Sequence, residues 1–138
     1  MSNFWEGVGR YGPLVGRILL AQIFIVSGWG KVTGFAGTAA YMAGKGMPLA
    51  EFFAVGAILL ELGGGIALIL GWQARWAALA ILVFTVPATL IFHNFWSVDA
   101  AQAQGEMIHF MKNLCIMGAA LYVMAFGAGP FSVDNRRR

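Results

Sequence analysis

Apolar residues run through this chain in four long blocks, at about 13–32, 50–71, 75–96 and 108–127. Within the blocks, polar residues do not return every three or four positions, as they would on the wet face of a soluble amphipathic helix. Each block is close to the 20 or so helical residues that cross a hydrocarbon core. No water reaches backbone groups there, so each segment must close its own hydrogen bonds, and helices do so. The pattern therefore predicts an all-α fold: an integral membrane four-helix bundle, with residues 1–138 forming one domain. Pro13 is placed near the start of the first helix, where its missing N–H costs nothing. Pro87 lies inside the third, removes the bond to Val83 and predicts a kink. Arg17 and Gln22 interrupt the first block, and no small-residue cleavage pattern follows it, which argues against a signal peptide.

The links between blocks differ. Trp72 to Arg75 is a tight turn that makes the second and third spans an antiparallel hairpin. Gly34 to Pro48 contains Tyr41, Met42, Lys45 and Met47 and reads as a short amphipathic or re-entrant piece. Ser97 to Glu106 is polar and reads as a simple loop.

Composition supports the membrane reading. Hydrophobic residues make up 59% of the 138 and charged ones 11%, less than half of the roughly 25% typical of a soluble domain. The net charge of +3 does not indicate nucleic acid, because three of nine basic residues form the Arg136, Arg137, Arg138 cluster and the rest are dispersed. Four spans put Arg10, Arg17, Arg75 and that cluster on one side. Lys31, Lys45 and Lys112 fall on the other, with Glu51, Asp99 and Glu106. The arginine-rich side is then cytoplasmic, with both termini inside. Trp5, Trp72, Trp76 and Trp96 fall near span ends, as interfacial anchors do. The single cysteine, Cys115, lies in an apolar run and is read as packing.

Ionisable residues inside a membrane are costly and therefore informative. Glu61 lies about ten residues from either end of its span, near the midplane at about 1.5 Å per residue. Its helix face carries Ala54, Ala57, Gly64, Gly65 and Leu68, so it should face the bundle interior. Two readings stand side by side: a structural ion pair that fixes helix register, and a functional carboxylate. Arg17 and Lys31 share a face of the first helix, and either reaches toward Glu61 or snorkels to its own interface. His93 and Asn94 close the third span, while His109, Lys112 and Asn113 open the fourth. Together these place a pocket lined by Lys31, His93, Asn113 and Glu61 in the outer half. Two histidines without a cysteine cluster make a poor metal site, and no glycine-rich loop follows a strand to hold a nucleotide.

The order of these motifs resembles the DoxX family of small bacterial four-helix membrane proteins. The resemblance rests on GRILLAQIFIVSGWGKVTGF with Arg17 and Lys31, GTAAYMAGKGMP, ELGGGIALILGWQAR from Glu61 to Arg75, HNFW at His93, HFMKNL from His109, and the closing SVD. It covers nearly the whole chain. It implies an inner (cytoplasmic) membrane location, with Arg17, Lys31, Glu61, His93 and Asn113 at the family's recurrent polar positions. It further implies kinship with small subunits of a thiosulfate:quinone oxidoreductase, and with a membrane anchor for oxidative-stress enzymes. The leading expectation is a redox-associated subunit binding a quinone-like molecule. Lys31, Asn113 and Arg17 would bind it, while Glu61 and His93 would exchange protons. The chain supplies no electron carrier, so quinone is the candidate cofactor and a soluble redox enzyme the candidate partner. The alternatives are a scaffold that recruits oxidative-stress or sulfur-metabolism enzymes, and a small transporter, which four spans would build only as a homo-oligomer.

Overall fold

The computed structural model describes residues 2–136; Met1 and, from the terminal basic cluster, Arg137 and Arg138 lie outside them. Six α-helices follow in order: α1 (Ser2–Thr33), α2 (Phe35–Gly44), α3 (Ala50–Leu70), α4 (Ala74–Phe92), α5 (Ala100–Phe126) and α6 (Val133–Arg136). A single 3₁₀ turn, Phe95–Ser97, separates α4 from α5, and no strand occurs among the described residues. Four of the helices, α1, α3, α4 and α5, are long and apolar enough to cross a bilayer. They pack α1 on α3, α3 on α4 and α4 on α5, with α2 resting mainly on α3.

Small residues fill the interior and large apolar ones face outward. Ala21, Ala78 and Ala120 are fully buried around Leu20, Phe24, Leu68 and Ile81, and Ala54 is fully buried in a second cluster with Met42 and Ala57. Val26, Leu59 and Phe126 stay about 70% exposed or more. In water such a surface would aggregate; lipid solvates it, and close backbone packing at small residues then holds the bundle together. The interior face expected of α3 is observed, with Ala54, Ala57, Glu61, Gly65 and Leu68 all buried.

Three local expectations are corrected, and the short piece after Gly34 takes definite form. Helix α1 starts at Ser2, so Pro13 lies well inside it rather than at its start. At about 1.5 Å per residue its 32 residues reach roughly 48 Å, more than the roughly 30 Å hydrocarbon core, and the first turns therefore extend past it. The piece after Gly34 is a regular ten-residue helix that buries Ala39 and Met42. Most of the expected polar loop before Glu106 belongs to α5, whose opening run of alanine, glutamine and glutamate forms helix readily. Asp99 starts it, its carbonyl accepting from the N–H groups of Gln102 and Ala103. Cys115 is exposed on the outer surface rather than packed.

The turn between α3 and α4 is held from three sides. The N–H of Gly71 donates to Leu68 and that of Trp72 to Ala67, the paired bonds of a Schellman cap that needs a left-handed residue. Gly71 supplies it, at φ +64°. Arg17 then donates from Nη1 to the carbonyls of Leu68 (2.8 Å) and Ile69 (3.1 Å), and from Nη2 to that of Phe131 (3.0 Å). Asp134, on α6, accepts from the N–H groups of Gln73 (2.8 Å) and Ala74 (2.9 Å) at the start of α4. A cation thus sits at a helix C-terminus and an anion at a helix N-terminus, each where the helix dipole favours it.

Candidate functional site

Near the middle of α3, away from that turn, α1 and α3 approach closely because Gly28 has no side chain. A Cβ there would lie 2.8 Å from Leu62 Cγ and 3.2 Å from Glu61 Cβ. One turn later, Lys31 reaches across to Glu61. Its Nζ donates to Glu61 Oε1 (3.0 Å) and to Ser27 Oγ (2.6 Å), and Ser27 Oγ donates in turn to Oε1 (3.2 Å). Nζ also lies 2.9 Å from Oε2, so the ammonium straddles both oxygens of the carboxylate. Glu61 is 4% exposed. An ion this deep needs both a counter-charge and hydrogen bonds, and Lys31 and Ser27 supply them.

The pair lines a cleft of about 1270 Å³, at or beyond the upper end of the roughly 300–1,000 Å³ common for small-molecule sites. Phe24, Phe53, Leu60, Phe84, Phe92 and Ile116 give it apolar walls. Lys31, Glu61, His93 and Asn113 all line it, so the structure brings together four of the five residues singled out in the sequence. Arg17 is the exception. It is 2% exposed and engaged with backbone carbonyls at the α3–α4 turn, at the other end of the molecule.

Asn113, on α5, donates from Nδ2 to Thr89 Oγ1 (2.9 Å). Thr89 and Thr85 bond back to the carbonyls of Thr85 and Ile81, the usual way a hydroxyl is satisfied within a helix. His93 Nδ1 lies 2.8 Å from Glu106 Oε2. A carboxylate at Nδ1 favours a proton on that nitrogen, which makes Nε2 the free ring nitrogen. The His109 ring stands 5.1 Å from that of His93, and its Nδ1 lies 3.1 Å from Lys112 Nζ. Phe95 and Trp96 cluster with Phe110 instead of lining the cleft.

Sequence reasoning missed Ser27, Thr85, Thr89 and Glu106. Ser27 precedes Lys31 by one helical turn, and the two threonines are one turn apart in an otherwise apolar span; that i, i+4 spacing was the available signal. Glu106 reads as loop in the sequence, whereas α5 begins at Ala100 and carries Glu106 as its seventh residue, with Oε2 2.8 Å from His93 Nδ1.

Four apolar spans around a cleft with a buried ion pair define a small α-helical integral membrane protein, located in the bacterial inner membrane. The chain belongs to the DoxX family, whose model matches residues 12–94, a stretch that includes Arg17, Lys31, Glu61 and His93. It is 42% identical over 124 residues to the inner membrane protein YqjF of Escherichia coli, covering 90% of each chain. It is 35% identical over 123 residues to the inner membrane protein YphA of the same organism, covering 89% of this chain and 88% of that one. A shorter match of 72 residues, at 29% identity, links 51% of the chain to 24% of the Surfeit locus protein 4 homolog of Schizosaccharomyces pombe. No solved structure matches it.

Proposed function

We propose that this protein binds a quinone-like small molecule in the cleft, as a redox-associated membrane subunit. The observation that carries the reading is the buried Lys31–Glu61 ion pair, with His93 and Asn113, on a cleft whose walls are largely apolar. A flat ring fits between Phe24, Phe84 and Phe92, and its oxygens fit against Lys31, Asn113 and His93. Glu61, held beside Lys31, would exchange protons with the reduced ligand. His93 serves each form differently. With its proton on Nδ1, facing Glu106, Nε2 accepts from a ligand hydroxyl; when doubly protonated, Nε2 donates to a ligand carbonyl. A bound quinone supplies the two-electron chemistry, and the electrons come from a partner enzyme.

Calorimetric titration of the purified protein with a short-chain quinone tests this. Binding is expected, weakened by roughly 1–3 kcal/mol in His93→Ala and in Lys31→Met, the usual cost of losing a buried hydrogen bond. Thermal unfolding of each variant, recorded alongside, separates lost contact from lost fold. If no quinone binds, or folded variants bind as tightly as the parent, the reading fails, and a scaffold that recruits soluble enzymes takes its place.

A further inference from the structure

Three lysines from three different helical segments line the cleft: Lys31 near the end of α1, Lys45 at the end of α2 and Lys112 on α5. The only acidic residue lining it is Glu61, and Lys31 neutralises it. Neither Lys45 nor Lys112 has a carboxylate within ion-pair distance among the described residues. Lys45 lies 5.8 Å from the centre of the Tyr41 ring, and Lys112 contacts the His109 ring nitrogen. Both contacts leave their charge unbalanced. Glu106, the other acid nearby, is held by His93, whose ring also lines the cleft.

The lining therefore carries a net charge of +2, or +1 when the Glu106 carboxylate beside a neutral His93 is counted, so the cleft is positive above an apolar interior in either case. Low-dielectric walls focus such a field and raise the local concentration of ligands of opposite sign. We propose that the cleft selects amphiphiles with an oxyanion head, a carboxylate or a phosphate, received by Lys45 and Lys112 while the apolar part enters between the phenylalanines. This takes from the reading above only that the cleft is a ligand site; it does not require a quinone ring. The head chemistry is common to a membrane lipid and to a free organic acid.

The test is a titration of the detergent-solubilised full chain with decyl phosphate, decanoate and decanol, which share a tail and differ in head charge. In low salt both anions are expected to bind at least tenfold more tightly than decanol. The margin should shrink as salt is raised, because exposed charges are screened, and should collapse in the double variant Lys45→Gln, Lys112→Gln. Equal affinity for anion and alcohol, or a preference that survives the double variant, overturns the proposal. A parallel titration with a neutral short-chain quinone separates the two readings, since anion preference without quinone binding removes the quinone and leaves the oxyanion site. Mass spectrometry of lipid carried through purification distinguishes the sources. Anionic phospholipid retained by the parent and lost from the double variant identifies a lipid head; decanoate preference with no such lipid identifies a free acid.

Discussion

A glutamate set among alanines and glycines in the middle of an apolar helix keeps its charge only if a cation comes to it, and Lys31 does so from the neighbouring helix at 2.9–3.0 Å. The sequence supplied the carboxylate and two candidate cations but no means of choosing between them. Lys31 shares a helix face with Gly28, and the absence of a Cβ there lets α1 close on α3 beside Glu61. Arg17 found another solution, and its partners explain why it was not legible: they are backbone carbonyls, which every residue carries and no composition reveals. The coupling of the pair is measurable. A cycle of Glu61→Gln, Lys31→Met and the double variant, followed by thermal unfolding in detergent, is expected to give an interaction energy of roughly 0.5–3 kcal/mol, as for residues in direct contact. The single Lys31→Met change should be the more damaging one, since it leaves the more deeply buried Glu61 without its counter-charge, whereas Glu61→Gln leaves the better hydrated Lys31 an amide oxygen to donate to. Strictly additive effects would show that the two side chains do not act on each other.

At the level of elements, helix existence was legible and helix ends were not. Mean apolarity over twenty residues is a strong signal, whereas an end depends on which groups satisfy a few exposed N–H and C=O groups. Helix α5 shows the difference. The segment from Ala100 to Glu106 is polar enough to pass for a loop, yet its residues favour helix, and it continues into the span without a break. The α3–α4 turn shows the same for capping, because Asp134 is 60 residues from the Ala74 N–H that it accepts from. Replacing Asp134 with alanine removes both bonds at the head of α4. The expected loss is about 0.5–2 kcal/mol, the range for a missing helix cap, seen as a lower unfolding temperature with ligand affinity at the distant cleft unchanged. A fall in affinity matching the fall in stability would mean that the two ends are coupled.

For the molecule as a whole, the bundle separates two kinds of polar group. One end gathers Arg17, Asp134 and the backbone of a tight turn, which both side chains hydrogen-bond, while the buried Nε of Arg17 has no acceptor. The other gathers Lys31, Glu61, Lys45, Lys112 and His93 around open space. The separation follows the arginine and lysine asymmetry along the chain, which predicts that the arginine end faces the cytoplasm. Reporter fusions after Arg138 and within the link from Trp72 to Arg75 should both read as cytoplasmic. One inserted at Val98, ahead of α5, should read as periplasmic, and an outward-reading carboxyl end would reverse the assignment.

The guanidinium of Arg17 also imposes a schedule on synthesis. Its first acceptors lie 51 residues downstream, at Leu68, and its last 114 downstream, at Phe131. At about 5–20 residues per second, the second wait is on the order of ten seconds. Over that interval the first helix holds a charge whose full set of acceptors has not yet been made, and it must keep that group near the headgroups or water until the later helices arrive. A nascent chain interrupted before Phe131 would keep an incompletely satisfied arginine, a defect that membrane quality control could recognise.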